Sequence, residues 1–120
     1  MRVLIVESKP ELSGLWAEHL KRQGAEVVPA NSEADAIDIL TTRQVDMIVL
    51  DLVLDHGSAF AVADFASYRH PDARVIFVTN TSFFSDGSIF QHIPNACAFL
   101  PSATTPEDLA AVVDHYCASH

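Results

Sequence analysis

The chain has 120 residues, 49% hydrophobic and 19% charged, which is the size of one ordinary domain and excludes a disordered or low-complexity segment. A formal net charge of −9, with only seven scattered Lys and Arg, excludes a nucleic-acid surface, because phosphate contacts need clustered cations. No apolar stretch approaches the roughly 20 residues of a membrane helix, and Cys97 and Cys117 alone make no disulfide framework.

The first apolar run is Val3-Leu4-Ile5-Val6. It reaches acidic Glu7 too soon for a secretory signal, so a cytoplasmic protein with two reduced, buried thiols is expected. Ser8-Lys9-Pro10-Glu11 then fits a helix start with a serine cap and an early proline. Leu12, Leu15, Trp16, His19 and Leu20 share one face of that helix, and Gly24 stops it. Val27-Val28 is a weaker strand signal. Ser32-Glu33-Ala34-Asp35 caps a second helix with Ala36, Ile37 and Leu40 inward.

Met47-Ile48-Val49-Leu50 is the next strand, and the helix from Ser58 to about Tyr68 buries Val62, Phe65 and Ala66 before His70-Pro71-Asp72 ends it. Val75-Ile76-Phe77-Val78 is the fourth strand. Thr81 to Ile93 reads as a short fourth helix interrupted at Asp86-Gly87 and ending near Pro94-Asn95. Ala96-Cys97-Ala98-Phe99-Leu100 is the fifth strand, and Thr105-Pro106-Glu107-Asp108 opens a fifth helix with Leu109, Val112, Val113 and Tyr116 on one stripe.

These strand runs do not alternate polar with apolar, as expected of strands buried on both faces. Five strand–helix pairs with right-handed crossovers predict one α/β domain over residues 1–120. Its sheet is doubly wound, parallel and five-stranded, in the flavodoxin-like order 2-1-3-4-5, with five helices. Such sheets work at the carboxyl ends of their strands. Those ends are Glu7-Ser8-Lys9, Asp51 with the loop Leu52 to Ser58, Thr79-Asn80, and Leu100-Pro101-Ser102.

At those positions the whole chain resembles a response-regulator receiver domain. Val3 to Pro10 stands where that family has a strand followed by two acids, and Val49-Leu50-Asp51-Leu52 matches its phosphoacceptor strand. His70 to Thr79 matches the fourth strand and its hydroxyl, while Ala98-Phe99-Leu100-Pro101-Ser102 and Pro106-Glu107-Asp108-Leu109 match the last strand and helix. The resemblance implies a phosphoacceptor at Asp51 and a Mg²⁺ site from Glu7, Asp51 and the Val53 carbonyl. It also implies a phosphate-binding hydroxyl at Thr79 and a switching aromatic at Phe99. The chemistry is coherent, since a carboxylate nucleophile needs a cation beside it to take up a phosphoryl group.

The chain departs from the family at several positions, three of them at the strand ends. Ser8 replaces the second acid, Ser102 replaces a lysine, and Asn80 replaces a small residue. Ser8 should weaken Mg²⁺ binding. Lys9, next to the acids, is a candidate resident cation in place of the metal.

What the resemblance implies is phosphorelay signalling with a histidine kinase or phosphotransfer protein as partner. Because the chain ends at its last helix, it is expected to be a stand-alone, non-enzymatic receiver, limited to self-phosphorylation and dephosphorylation. The alternative is a phosphorylation-independent docking or dimerisation module. More distant is a small hydrolase or ligand-binding protein on the same fold. No Gly-x-Ser-x-Gly elbow supports a hydrolase, and the spacing of His115, Cys117 and His120 is poor for zinc on a helix. Phe83 and Phe84 cannot both point inward on a helix, so a homodimer through the face around Phe83, Phe84 and Phe99 is expected.

Overall fold

Val3 to Val6 and Ile48 to Leu50 have no solvent exposure at all, which is why their sequences carry no polar alternation. They are the centre of the sheet. The structure, a computed structural model, describes residues 1–79, 95–101 and 104–118, with side chains as far as His115. In chain order the elements are β1 (Arg2–Val6), α1 (Pro10–Arg22), β2 (Glu26–Ala30), α2 (Glu33–Thr42), β3 (Met47–Asp51), α3 (Ala59–Arg69), β4 (Arg74–Thr79), β5 (Ala96–Pro101) and α4 (Pro106–Ala118). The strands are all parallel, in the order β2-β1-β3-β4-β5, as expected. Four helices lie among the described residues. The helix read from Thr81 to Ile93 falls outside them.

Side chains alternate across the sheet and sort the core into two layers. Leu4, Val6, Ile48, Leu50, Val75 and Phe77 face α2 and α3, where Ala36, Leu40, Val62 and Ala66 meet them. Val3, Ile5, Met47, Val49, Ile76 and Val78 face α1 and α4, against Trp16, Leu20, Leu109 and Val113. Each such aliphatic or aromatic side chain contributes about 1.5–3 kcal/mol by leaving water, so two filled layers hold the sheet.

The helix ends show how the chain is punctuated. Ser32 Oγ accepts from the Asp35 N–H at 3.2 Å and Ser58 Oγ from the Ala61 N–H at 3.4 Å, so α2 and α3 start on serine caps. The last carbonyls of α2 are closed from α3. His70 Nε2 lies 2.7 Å from the Leu40 carbonyl, and Arg69 Nη2 donates to the Thr41 carbonyl at 3.0 Å.

Two expectations for α1 need correction. Its N-cap is Lys9, with Pro10 opening the helix and no side-chain cap, because the Ser8 hydroxyl is engaged elsewhere. Leu15 is exposed and Ser13 buried in its place, so the inward stripe runs through Leu12, Ser13, Trp16 and Leu20. Among the described residues only Gly24 and Gly57 have positive φ.

β2 is an edge strand and contains Pro29, in register with Ile5 of β1. Proline lacks an N–H and is tolerated at an edge when that group would face outward. Cys97 is half-buried on β5, packed against the α1–α4 layer of the core, and burial pushes its thiol up to about 11. The Cys117 side chain lies outside the described atoms.

Candidate functional site

Val6 of β1 is paired with Leu50 of β3, so Glu7 and Asp51 are the next residues on adjacent strands. Both follow the side of the sheet that carries Ile5 and Val49, and their carboxyl groups meet at the rim. Glu7 is 2% exposed, whereas Asp51 is half-buried and open to solvent.

Burial, and then the Asp51 carboxyl beside it, push Glu7 from 4.5 up to about 7. The Lys9 N–H opposes this by donating to Glu7 Oε1 at 3.1 Å. Glu7 Oε2 is buried and meets no donor among the described residues. Ionised, the pair is two anions side by side with one oxygen unsatisfied. Protonated, Glu7 donates to Asp51 and the contact becomes a hydrogen bond.

That orphaned oxygen fits a divalent cation, which takes carboxylate and carbonyl oxygens. Glu7 and Asp51 provide two carboxylates, and the Val53 carbonyl is a third oxygen two residues along. No group of three His, Cys, Asp or Glu gathers among the described residues, so the donor set is one acid short. Lys9 does not fill the gap as a resident cation. Among the described residues its ammonium makes no ion pair, and its charge is the smallest influence on Glu7.

The Asp51 carboxylate is oriented by its own loop, since Oδ1 accepts the Val53 N–H at 3.0 Å. Ser8, the residue at the missing acid's position, faces that same loop. Its Oγ accepts the Asp55 N–H at 2.9 Å and reaches the Asn31 carbonyl at 3.5 Å. Thr79 is buried at the end of β4, one step beyond Val78, the partner of Asp51 in register. Phe99 is half-buried on β5, opposite Phe77 and packed against the α2–α3 side of the core. Asn80, Phe83, Phe84 and Ser102 lie outside the described residues.

Two residues of the site escaped the sequence reading. Glu33 Oε1 accepts the Ser58 N–H at 2.7 Å, and the Glu33 N–H donates to the His56 carbonyl at 3.2 Å. Gly57, at φ +101°, lies so close to Glu33 that a Cβ there would collide with the Glu33 Cβ. The Asp-His-Gly sequence was the available signal for a strained turn.

The response regulator receiver domain family matches residues 3–111. The chain belongs to that family. The receiver is 32% identical over 75 residues to the regulatory protein LuxO of Vibrio vulnificus, covering 62% of this chain and 17% of that protein. It thus spans under a fifth of the length of that relative. Its fold is also that of a CheY-like receiver domain protein from Methanospirillum hungatei, with TM-score 0.88, 19% identity and coverage of 98% of this chain and 94% of the other. The response regulator TrrA of Thermotoga maritima, solved in complex with Mg²⁺-BeF, superposes with TM-score 0.81 at 22% identity, over 95% of this chain and 96% of that one. No helix among the described residues of the receiver is long and apolar enough to cross a membrane.

Proposed function

We propose that this receiver accepts a phosphoryl group on Asp51 from a histidine kinase or phosphotransfer protein and signals through protein–protein contacts. The observation that carries the reading is the Glu7–Asp51 pair: an accessible carboxylate at the strand rim beside a buried acid with an unsatisfied oxygen.

An Asp51 oxygen attacks the phosphorus of the phosphohistidine. The P–N bond breaks, and the imidazole leaves and takes up a proton. The Val53 N–H on Oδ1 keeps the carboxylate aimed during the attack. When bound by Glu7, Asp51 and the Val53 carbonyl, Mg²⁺ supplies positive charge against the phosphoryl oxygens. The Thr79 hydroxyl then donates to the new phosphoryl group, and Phe99 answers that movement from the neighbouring strand. The only chemistry in this reading is phosphorylation and hydrolysis at Asp51 itself. Self-association through the surface around Phe83, Phe84 and Phe99 belongs to the same proposal.

A second reading, a docking module that works without phosphorylation, is favoured by Ser8. The position of a second acid holds a hydroxyl already committed to the loop. Adding Mg²⁺ with acetyl phosphate or beryllofluoride separates the two. Under the acceptor reading the backbone resonances of Asp51, Thr79 and Phe99 move, and Asp51→Asn abolishes the movement. If nothing moves at millimolar Mg²⁺, the docking reading stands instead.

A further inference from the structure

The loop after Asp51 carries the Val53 carbonyl, and the protein fastens it from two sides. On one side stands Ser8, at the end of β1. A hydroxyl both accepts and donates, so a single Oγ serves the Asp55 N–H at 2.9 Å and the Asn31 carbonyl at 3.5 Å. A carboxylate there would only accept. On the other side stands Glu33, at the first turn of α2. It accepts the Ser58 N–H at 2.7 Å and donates its own N–H to the His56 carbonyl at 3.2 Å. Ser58 is also the N-cap of α3, so the Glu33 carboxylate lies by the amino ends of two helices, where negative charge is favoured. Gly57 lets the backbone close onto Glu33 with no Cβ between them.

We propose that Ser8 and Glu33 are positioning residues that pin the Asp51 loop to β1 and α2, so that the loop keeps its shape whether or not a cation is bound. The position that lacks an acid has been turned to a second use. The functional meaning rests on Asp51 being the acceptor; the geometry does not.

Amide exchange and nitrogen-15 shifts of the full chain, first without divalent ions, test this. Ser8→Ala speeds exchange of the Asp55 amide roughly fivefold, and Glu33→Ala does the same for Ser58, as loss of one net hydrogen bond predicts. Ser8→Thr and Glu33→Gln, which keep the accepting oxygens, stay near wild type. Added Mg²⁺ moves the Asp51 and Val53 amides in wild type but leaves Asp55 and Ser58 in place, whereas in Ser8→Ala it also moves Asp55. An Asp55 amide with the same shift and exchange in Ser8→Ala as in wild type overturns the proposal, and so does a wild-type Asp55 that moves with Mg²⁺ as far as in the alanine variant. Beryllofluoride keeps the two ideas apart. If the variants behave as stated and beryllofluoride produces no Asp51-dependent shift, the pinned loop stands and the acceptor reading falls.

Discussion

Glu7 and Asp51 occupy equivalent places on neighbouring strands, and their carboxyl groups meet at the rim of the sheet. The relation follows from register alone: Val6 opposite Leu50 leaves the two acids next in line on one side.

Stability should therefore depend on pH in the absence of divalent ions. Glu7 is raised from 4.5 to about 7 in the folded chain, chiefly by burial. Its contribution is fully present below the unfolded value and is lost as pH rises through about 7. Glu7→Gln removes the ionisation, so it should be more stable than wild type at pH 8, by on the order of 2 kcal/mol, with little gain at pH 4. Urea unfolding of both proteins in chelator at the two pH values measures this. A difference between them that does not change with pH would refute it.

Restoring an acid should restore the cation site. Ser8→Asp adds a third carboxylate beside Glu7 and Asp51 and should tighten Mg²⁺ by about tenfold, since affinity follows ligand charge. Calorimetric titration at pH 8 reads the change. Unaltered affinity would mean that position 8 does not face the cation.

The fold was legible because its central strands are buried on both faces, and such strands announce themselves as unbroken apolar runs. The meeting of Glu7 and Asp51 was legible because a parallel sheet in this order brings the ends of β1 and β3 to one rim. Ser8 was misread, because the residue type that caps helices also binds loop amides, and only the third dimension decides between them. Glu33 was invisible for a related reason. Its partner is the backbone N–H of Ser58, 25 residues away, and a backbone group leaves no mark in a sequence. Leu15 kept helical spacing yet faces solvent, since the inward stripe of α1 turns by one residue to place Ser13 over the sheet.

Gly57 should not tolerate a side chain. Its φ of +101° disfavours any L residue, and the first atom an added Cβ meets is the Glu33 Cβ. Gly57→Ala should cost about 2 kcal/mol, read from the urea midpoint. Trimming Glu33 to alanine in the same chain should bring only partial relief, because alanine keeps that Cβ.

His70 closes the end of α2. The Leu40 carbonyl only accepts, so the nitrogen facing it at 2.7 Å carries the proton, and the neutral ring is the Nε2–H tautomer. Nitrogen-15 shifts of the ring test the tautomer. His70→Ala leaves a carbonyl without its donor and a gap beside it, and should cost about 1–3 kcal/mol.

Pro29 has a consequence for how copies of this molecule meet. The Ala30 carbonyl accepts from the Glu7 N–H, so Ala30 turns its backbone toward β1 and Pro29 turns its own away. The outward flank of β2 thus presents a ring where a donor would otherwise project. A foreign β-strand laid along it would find a gap in the ladder, so this border of the molecule is guarded against runaway stacking and amyloid-like growth.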